Sequence, residues 1–191
     1  MSLIIKPKIE PYKAPFLTLV AGASVVKALS NLDVEASIKW PNDIIVHNKK
    51  ICGILTELSA EMERVNYVVI GIGINIKTID FPDEIKEKAT SLYKEGYKLS
   101  RVDIVRQFCI EFEKLYKGYI LDGNKQDTLE LCRKYSAIIG KQVYVIKNNK
   151  RELVKCIDIN ENGNLIVKEK NGEIQEIMSG EVSIRGVKGY V

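Results

Sequence analysis

Residues 36–58 read ASIKWPNDIIVHNKKICGILTEL. Apolar and β-branched residues come here in short runs, broken at Pro41-Asn42-Asp43 and again at Asn48-Lys49. Runs of roughly four to eight such residues between Pro, Asn and Asp clusters are strands joined by turns. Strands are therefore expected over 36–40, 44–47 and 50–58, the last two flanking a hairpin turn at Asn48-Lys49. A fourth follows at 67–76, YVVIGIGINI. Its almost unbroken apolar character predicts a strand buried on both faces.

Working outward, residues 2–8 read as a strand cut short by Pro7 and Pro11. Over 15–32, Phe16, Leu19, Val20, Ala23, Val26 and Leu29 recur at helical spacing, with Pro15 in the first turn and Lys27 at the edge of the stripe. Past Ile76 the texture is polar, with Pro82 and a short charged piece around Ile85. A helix is expected over 102–119, with Val105, Phe108, Cys109, Phe112, Leu115 and Tyr116 facing inward, and another over 127–135. Beyond Ile138 the period changes to two. Strands at 143–146, 153–159, 165–169 and 173–177 alternate with Asn148-Asn149, Asn160–Asn164 and Asn171-Gly172 turns. This pattern is an α+β domain over 1–136 followed by a small antiparallel β-barrel over 137–191.

Composition excludes several classes. The 46% apolar and 28% charged fractions are those of a globular protein. Apolar runs are interrupted before the ~18 residues a membrane helix needs. Lys6, Lys8 and Glu10 break any signal-peptide core, so a cytoplasmic protein is expected. The net charge of +4 is spread along the chain, so no nucleic-acid contact is expected. Cys52, Cys109, Cys132 and Cys156 form no CxxC pair, which argues against zinc and disulfides. A lone His47 argues against a Ser-His or Cys-His nucleophile.

Two segments carry candidate chemistry. In Lys39-Trp40-Pro41-Asn42-Asp43, alternation puts Trp40 on one face and Lys39 on the other, at a strand end where Pro41 turns the chain. Lys39 there suits an anionic substrate, or is an ordinary surface lysine before a turn. In 69–75, Gly71, Gly73 and Asn75 share a face. Two glycines on one face leave a slot for a flat ligand, or simply allow close packing. Gly71-x-Gly73 lacks the third glycine and the helix of a dinucleotide fingerprint, and no phosphate loop is present.

In order and spacing, Lys39-Trp-Pro-Asn-Asp43, Lys50-x-x-Gly53-Ile-Leu-x-Glu57 and Gly71-x-Gly73-x-Asn75 resemble the central pattern of biotin protein ligases. Ala89-Thr90-Ser91-Leu92 and Ser179–Arg185 extend the resemblance, which covers residues 2–185. It implies a class II synthetase-like core with a mixed or antiparallel sheet and helices, then an SH3-like barrel. It also implies a ligase that makes biotinyl-5′-AMP from biotin and ATP, with Mg2+, and passes biotin to a lysine of the biotin carboxyl carrier protein of acetyl-CoA carboxylase. In that scheme Lys39 is catalytic. Lys39, Gly53, Gly71 and Gly73 contact biotin, while Asn42, Lys50, Asn75, Ala89, Thr90, Ser91 and Arg185 contact the nucleotide. The chain supplies no metal ligands of its own in this scheme, and homodimerisation near the 44–58 hairpin is a family expectation.

The family's Gly-Arg-Gly-Arg loop and Ser-Thr-Asn segment, expected upstream of residues 2–6, are not found in the sequence, nor is a helix-turn-helix. A truncated ligase is therefore expected, with weak or no adenylation activity and an exposed sheet edge. Two alternatives are a lipoate-type acyl ligase of the same fold and a non-catalytic binding module.

Overall fold

The structure, a computed structural model, describes residues 1–147, 150–178, 183–187 and 190. β1 (Ser2–Ile5), β2 (Ser37–Lys39), β3 (Asp43–Val46), β4 (Lys49–Ala60) and β5 (Val65–Ile74) form one sheet in the order β1-β5-β4-β3-β2, every neighbour antiparallel. α1 (Phe16–Ser30) connects β1 to β2, and α2 (Arg101–Asp122) and α3 (Gln126–Lys134) follow the sheet. β6 (Gln142–Lys147), β7 (Lys150–Ile159), β8 (Leu165–Lys168), β9 (Ile174–Ile177) and β10 (Ser183–Gly186) form a second antiparallel sheet, ordered β10-β6-β7-β8-β9. The α+β class and the β-rich C-terminal part follow the sequence reading. The strand pairing, however, is that of a sheet with β9 and β10 at its ends, and no closing ladder is formed among the described residues. β10 was not foreseen, and the Asn148-Asn149 turn and Ser179–Val182 lie outside the described residues.

The β3–β4 turn falls one residue earlier than expected. His47 and Asn48 both adopt positive φ, 46° and 62°, the left-handed pair that a two-residue hairpin of matching twist requires. β5 departs from its expectation too. Val68, Ile70 and Ile72 are buried, but Tyr67 and Gly73 on the opposite face are exposed. Helices cover only one side of the sheet, and the apolar residues on the outer side, such as Val69, hide the period-two pattern in the sequence. Past Gly53, β4 has no ladder partner on its β3 side among the described residues, so the far end of this hairpin is itself a sheet edge.

α1 is buried all round, not along a stripe alone: Leu17, Ala21, Val25 and Ala28 are as inaccessible as the residues expected to face inward. It is packed against the sheet, α2 and α3 at once. Gly22 brings it onto β4, where an added Cβ would already touch Ile54 at 3.9 Å. Ser24 satisfies its hydroxyl by donating to the Val20 carbonyl at 2.6 Å. By length and composition Pro11–Ser30 passes as a membrane span, yet 72% of its apolar window is buried within the protein, as in a core helix. α2 begins at Ser100, whose side chain accepts from the Asp103 amide, and ends at Gly123 with φ 66°. Its inward stripe is Ile104, Phe108, Phe112, Leu115 and Tyr119; Val105 and Cys109, expected inside, are exposed, and Tyr116 is half-buried. Tyr119 is drawn in because its ring meets Phe16 at 4.8 Å and its hydroxyl donates to the Lys13 carbonyl.

The two sheets are tied together through one aromatic residue. Trp40, at the end of β2, is buried and donates from Nε1 to the Gly163 carbonyl in the β7–β8 turn at 3.0 Å. Gly163 has φ 84°, and any Cβ there would lie 2.5 Å from Leu19, so this turn is fitted closely onto α1. Arg133 on α3 adds a second tie, donating to Asp158 at 2.8 Å and to the Ile159 carbonyl. Trp40→Phe should lower stability by about 1–3 kcal/mol, because a buried carbonyl loses its donor and some packing is lost. The midpoint of urea unfolding measures the effect.

Candidate functional site

Sheet register assembles the site. Lys39 pairs with Asp43, Asp43 with Gly53, and Gly53 with Gly73, so one row crosses four strands from β2 to β5. Directly paired residues present their side chains to the same face. Their sequence neighbours Ile38, Ile44 and Cys52 point into the core, which leaves the row on the outer face. In the next paired positions, Leu55 stands opposite Gly71. The outcome is an ammonium and a carboxylate at one end of a shallow trough floored by three glycines. Gly53 has a further use. A Cβ there would come within 3.1 Å of Lys50 Cε and Nζ, and it is across this position that Lys50 reaches its ion pair with Asp43.

Beside the row is a cleft of about 680 Å³ lined by Asn42, Asp43, Lys50, Gly53, Gly73 and Asn75, and by Ala89, Lys88, Arg185 and Tyr190 from other segments. Asn42 spends its side-chain amide on the Ile54 carbonyl at 2.9 Å, which locks the Pro-Asn-Asp turn onto β4. Asn75 donates from its backbone to Ile51 and from its side chain to the Thr90 carbonyl at 3.1 Å. Lys50 exchanges backbone bonds with Lys88 and Thr90. These bonds zip the 88–92 loop onto the ends of β4 and β5 as a wall. Thr90 and Ser91 are buried in that wall, with hydroxyls donated to Glu95 and to the Thr78 carbonyl, and do not line the cleft. Gly71 lies on the trough floor outside the cleft, and Lys39 is not part of the cleft lining either but is buried against the ring of Tyr190, which is. Arg185, on β10, comes from the second sheet.

Residues 1–75 match the Biotin/lipoate A/B protein ligase family and residues 138–185 match the Biotin protein ligase C terminal domain. The chain belongs to the biotin protein ligase family. It is 39% identical over 188 residues to the bifunctional ligase/repressor BirA of Bacillus subtilis, covering 96% of this chain and 57% of that protein. The chain thus spans little more than half the length of the curated relatives it matches. The apo structure of the biotin protein ligase from Aquifex aeolicus superposes with a TM-score of 0.83 at 29% identity, covering 97% of this chain and 80% of that one. The same Aquifex ligase in complex with biotin and ATP gives a TM-score of 0.80 at 27% identity, covering 97% and 78%.

Within this family member the electrostatics centre on Lys39. Its side chain is 3% exposed, and its Nζ has no hydrogen-bond partner among the described residues. Tyr190 instead places its ring 3.4 Å from Nζ and donates its hydroxyl to Asp43. Burial, seconded by the nearby Arg185 charge, pushes the ammonium down to about 8; Asp43 opposes the shift and Lys50 adds to it. Burial also raises the Tyr190 phenol, and lifts Cys52 to about 12, which makes that thiol a poor nucleophile. Of the residues that line the cleft, Asp43, Ile51, Cys52, Ile85, Lys88 and Tyr190 were not named as site residues from sequence. Asp43 was legible as the carboxylate ending the Lys-Trp-Pro-Asn-Asp block, whereas Tyr190 carries no sequence mark.

A lysine whose folded pKa lies below its unfolded value binds fewer protons when folded. Stability therefore rises with pH between about 8 and 10.5 and is penalised below that window. Lys39→Met should raise the melting temperature at pH 7 and lose this advantage above pH 10. Melting curves of both proteins from pH 7 to 11 test it; a variant less stable at pH 7 would show that the charge is compensated.

Proposed function

We propose that this chain is the catalytic part of a biotin protein ligase, forming biotinyl-5′-AMP from biotin and ATP and passing biotin to a lysine of a biotin carboxyl carrier domain. The row Lys39–Asp43–Gly53–Gly73 carries this reading: a buried, unpaired ammonium at the end of a glycine-floored trough suits a flat apolar acid activated at its carboxylate. Gly53, Gly71 and Gly73 take the ring system and chain. Lys39 offsets charge that develops on the attacking carboxylate oxygen and the α-phosphate, acting by field and not by proton transfer. Lys50 and Arg185 add positive charge on the phosphate side, and Lys88 lies within the same cleft. Asn75 and Ala89 border the nucleoside end, and Thr90 and Ser91 act through the wall they hold in place.

Magnesium belongs to the substrate in this scheme. Among the described residues the one carboxylate lining the cleft, Asp43, is engaged by Lys50 and Tyr190, and no group of three His, Cys, Asp or Glu side chains is suited to a metal. It enters as MgATP. We assign 1–136 to catalysis and 137–191 to the C-terminal domain that contributes Arg185. The acceptor is taken to be the carrier protein of acetyl-CoA carboxylase, and the compartment the cytoplasm, where the four unpaired cysteines stay reduced. The unpaired end of β4 is the natural edge for a second copy.

Incubated with biotin, MgATP and a carrier domain, the chain should add one biotin to the carrier by intact mass, and only slowly, because its sequence holds no Gly-Arg-Gly-Arg loop. Lys39→Ala should remove at least about two orders of magnitude of rate, as loss of a group stabilising transition-state charge does. Gly73→Val, which fills the trough, should raise the KM for biotin more than it lowers kcat. Stabilisation by lipoate with MgATP, but not by biotin, would transfer the assignment to a lipoate ligase.

A further inference from the structure

Tyr190 lies five residues beyond Arg185 and returns to the catalytic row. Its ring stands 3.4 Å from Lys39 Nζ, and its hydroxyl donates to Asp43. One side chain therefore engages the two charged members of the row, and the ring, itself part of the cleft lining, lies over one face of the Lys39 ammonium. An anion cannot reach Nζ along that face while the ring is there. We propose that Tyr190 is an internal competitor for Lys39, a plug that swings aside when an anionic ligand binds and returns when it leaves.

The energetics favour such an exchange. An aromatic face offers an ammonium only the partial negative charge of its quadrupole, whereas a phosphate offers a full charge and three acceptor oxygens. Lys50 and Arg185 line the cleft close enough to Lys39 to act on its charge, with Asp43 as the counter-charge. The plug spreads a neutral ring between these groups, and an incoming anion neutralises the cluster more fully. The tyrosine hydroxyl meanwhile keeps Asp43 solvated by a donor, so neither member of the row is left bare when the ring is in place. Because Tyr190 must be displaced, ligand affinity is reduced by the work of removing it.

The ligand's identity rests on the biotinyl-adenylate reading; the plug itself does not. Two measurements on the full chain separate them. The first is calorimetric titration of a non-hydrolysable biotinyl-5′-adenylate analogue into the unaltered chain, Tyr190→Ala and Tyr190→Phe. The second is reductive 13C-methylation of lysines, following the Lys39 resonance assigned with Lys39→Arg. Tyr190→Ala should bind the analogue about tenfold more tightly, the equivalent of one desolvated cation–π contact. Tyr190→Phe, which keeps the ring and loses the bond to Asp43, should fall between. Lys39 should be methylated slowly in the unaltered chain and readily in Tyr190→Ala. Weaker or unchanged binding in Tyr190→Ala would overturn the plug, the former making Tyr190 a wall of the ligand site. If no protein binds the analogue, the biotin reading fails, and labelling decides the plug alone: equal methylation of Lys39 with and without the ring would sink it.

Discussion

The register of the β3–β4 hairpin governs the site. His47 and Asn48, both left-handed, close the turn and set the Val46–Lys49 and Ile45–Lys50 pairs, and a bulge at Ile51 then shifts the register by one so that Asp43 meets Gly53. A slip of one residue would send the whole strand's side chains to the opposite face. Asp43 would enter the core beside α1, Ile44 would face the trough, and the glycine floor would be replaced by Ile54 or Cys52. The buried Ile44, Ile51 and Ile54 resist that slip, since each is almost wholly inaccessible and exposing them is unfavourable. The hydrophobic core thus sets the chemistry of a surface it does not touch.

Much of this was legible in the sequence because the cues were local. Pro and Asn punctuation marked the strands and helices within a few residues, and Lys39, Gly71, Gly73 and Asn75 stood out by position, Gly53 only through the family resemblance. The errors have a common physical origin. β5 was expected to be buried on both faces because Val69 and Tyr67 look like core residues, although tertiary cover exists on one side alone. The α2 stripe is read correctly at Phe108, Phe112 and Leu115, but Val105 stands in for Ile104, since the two are interchangeable by hydropathy, and Tyr116 for Tyr119, whose contact with Phe16 is tertiary. The family block reaches the cleft through Ala89, while the hydroxyls of Thr90 and Ser91 serve the loop. Tyr190 could not have been found by spacing, because it reaches Asp43 across 147 residues.

The charges gathered around the row come from both sheets. The first sheet alone supplies Lys39, Asp43 and Lys50, a cluster in which Asp43 is shared by two cations. Arg185 arrives from β10, so positive charge in the cleft depends on how the second sheet is seated. That seating is held at the Gly163 turn and at Arg133, neither of which lines the cleft. Substitutions there are positioned to act on the site through geometry, with no contact to it.

Trp40 is the chain's single tryptophan, and it stands next to Lys39 with its indole bonded to the second sheet. The protein therefore carries its own optical probe. Emission from an indole in this setting depends on whether its N–H is bonded and whether water reaches the ring. A change in the seating of the second sheet, or in the backbone that presents Lys39, becomes visible as a shift in fluorescence without any attached dye.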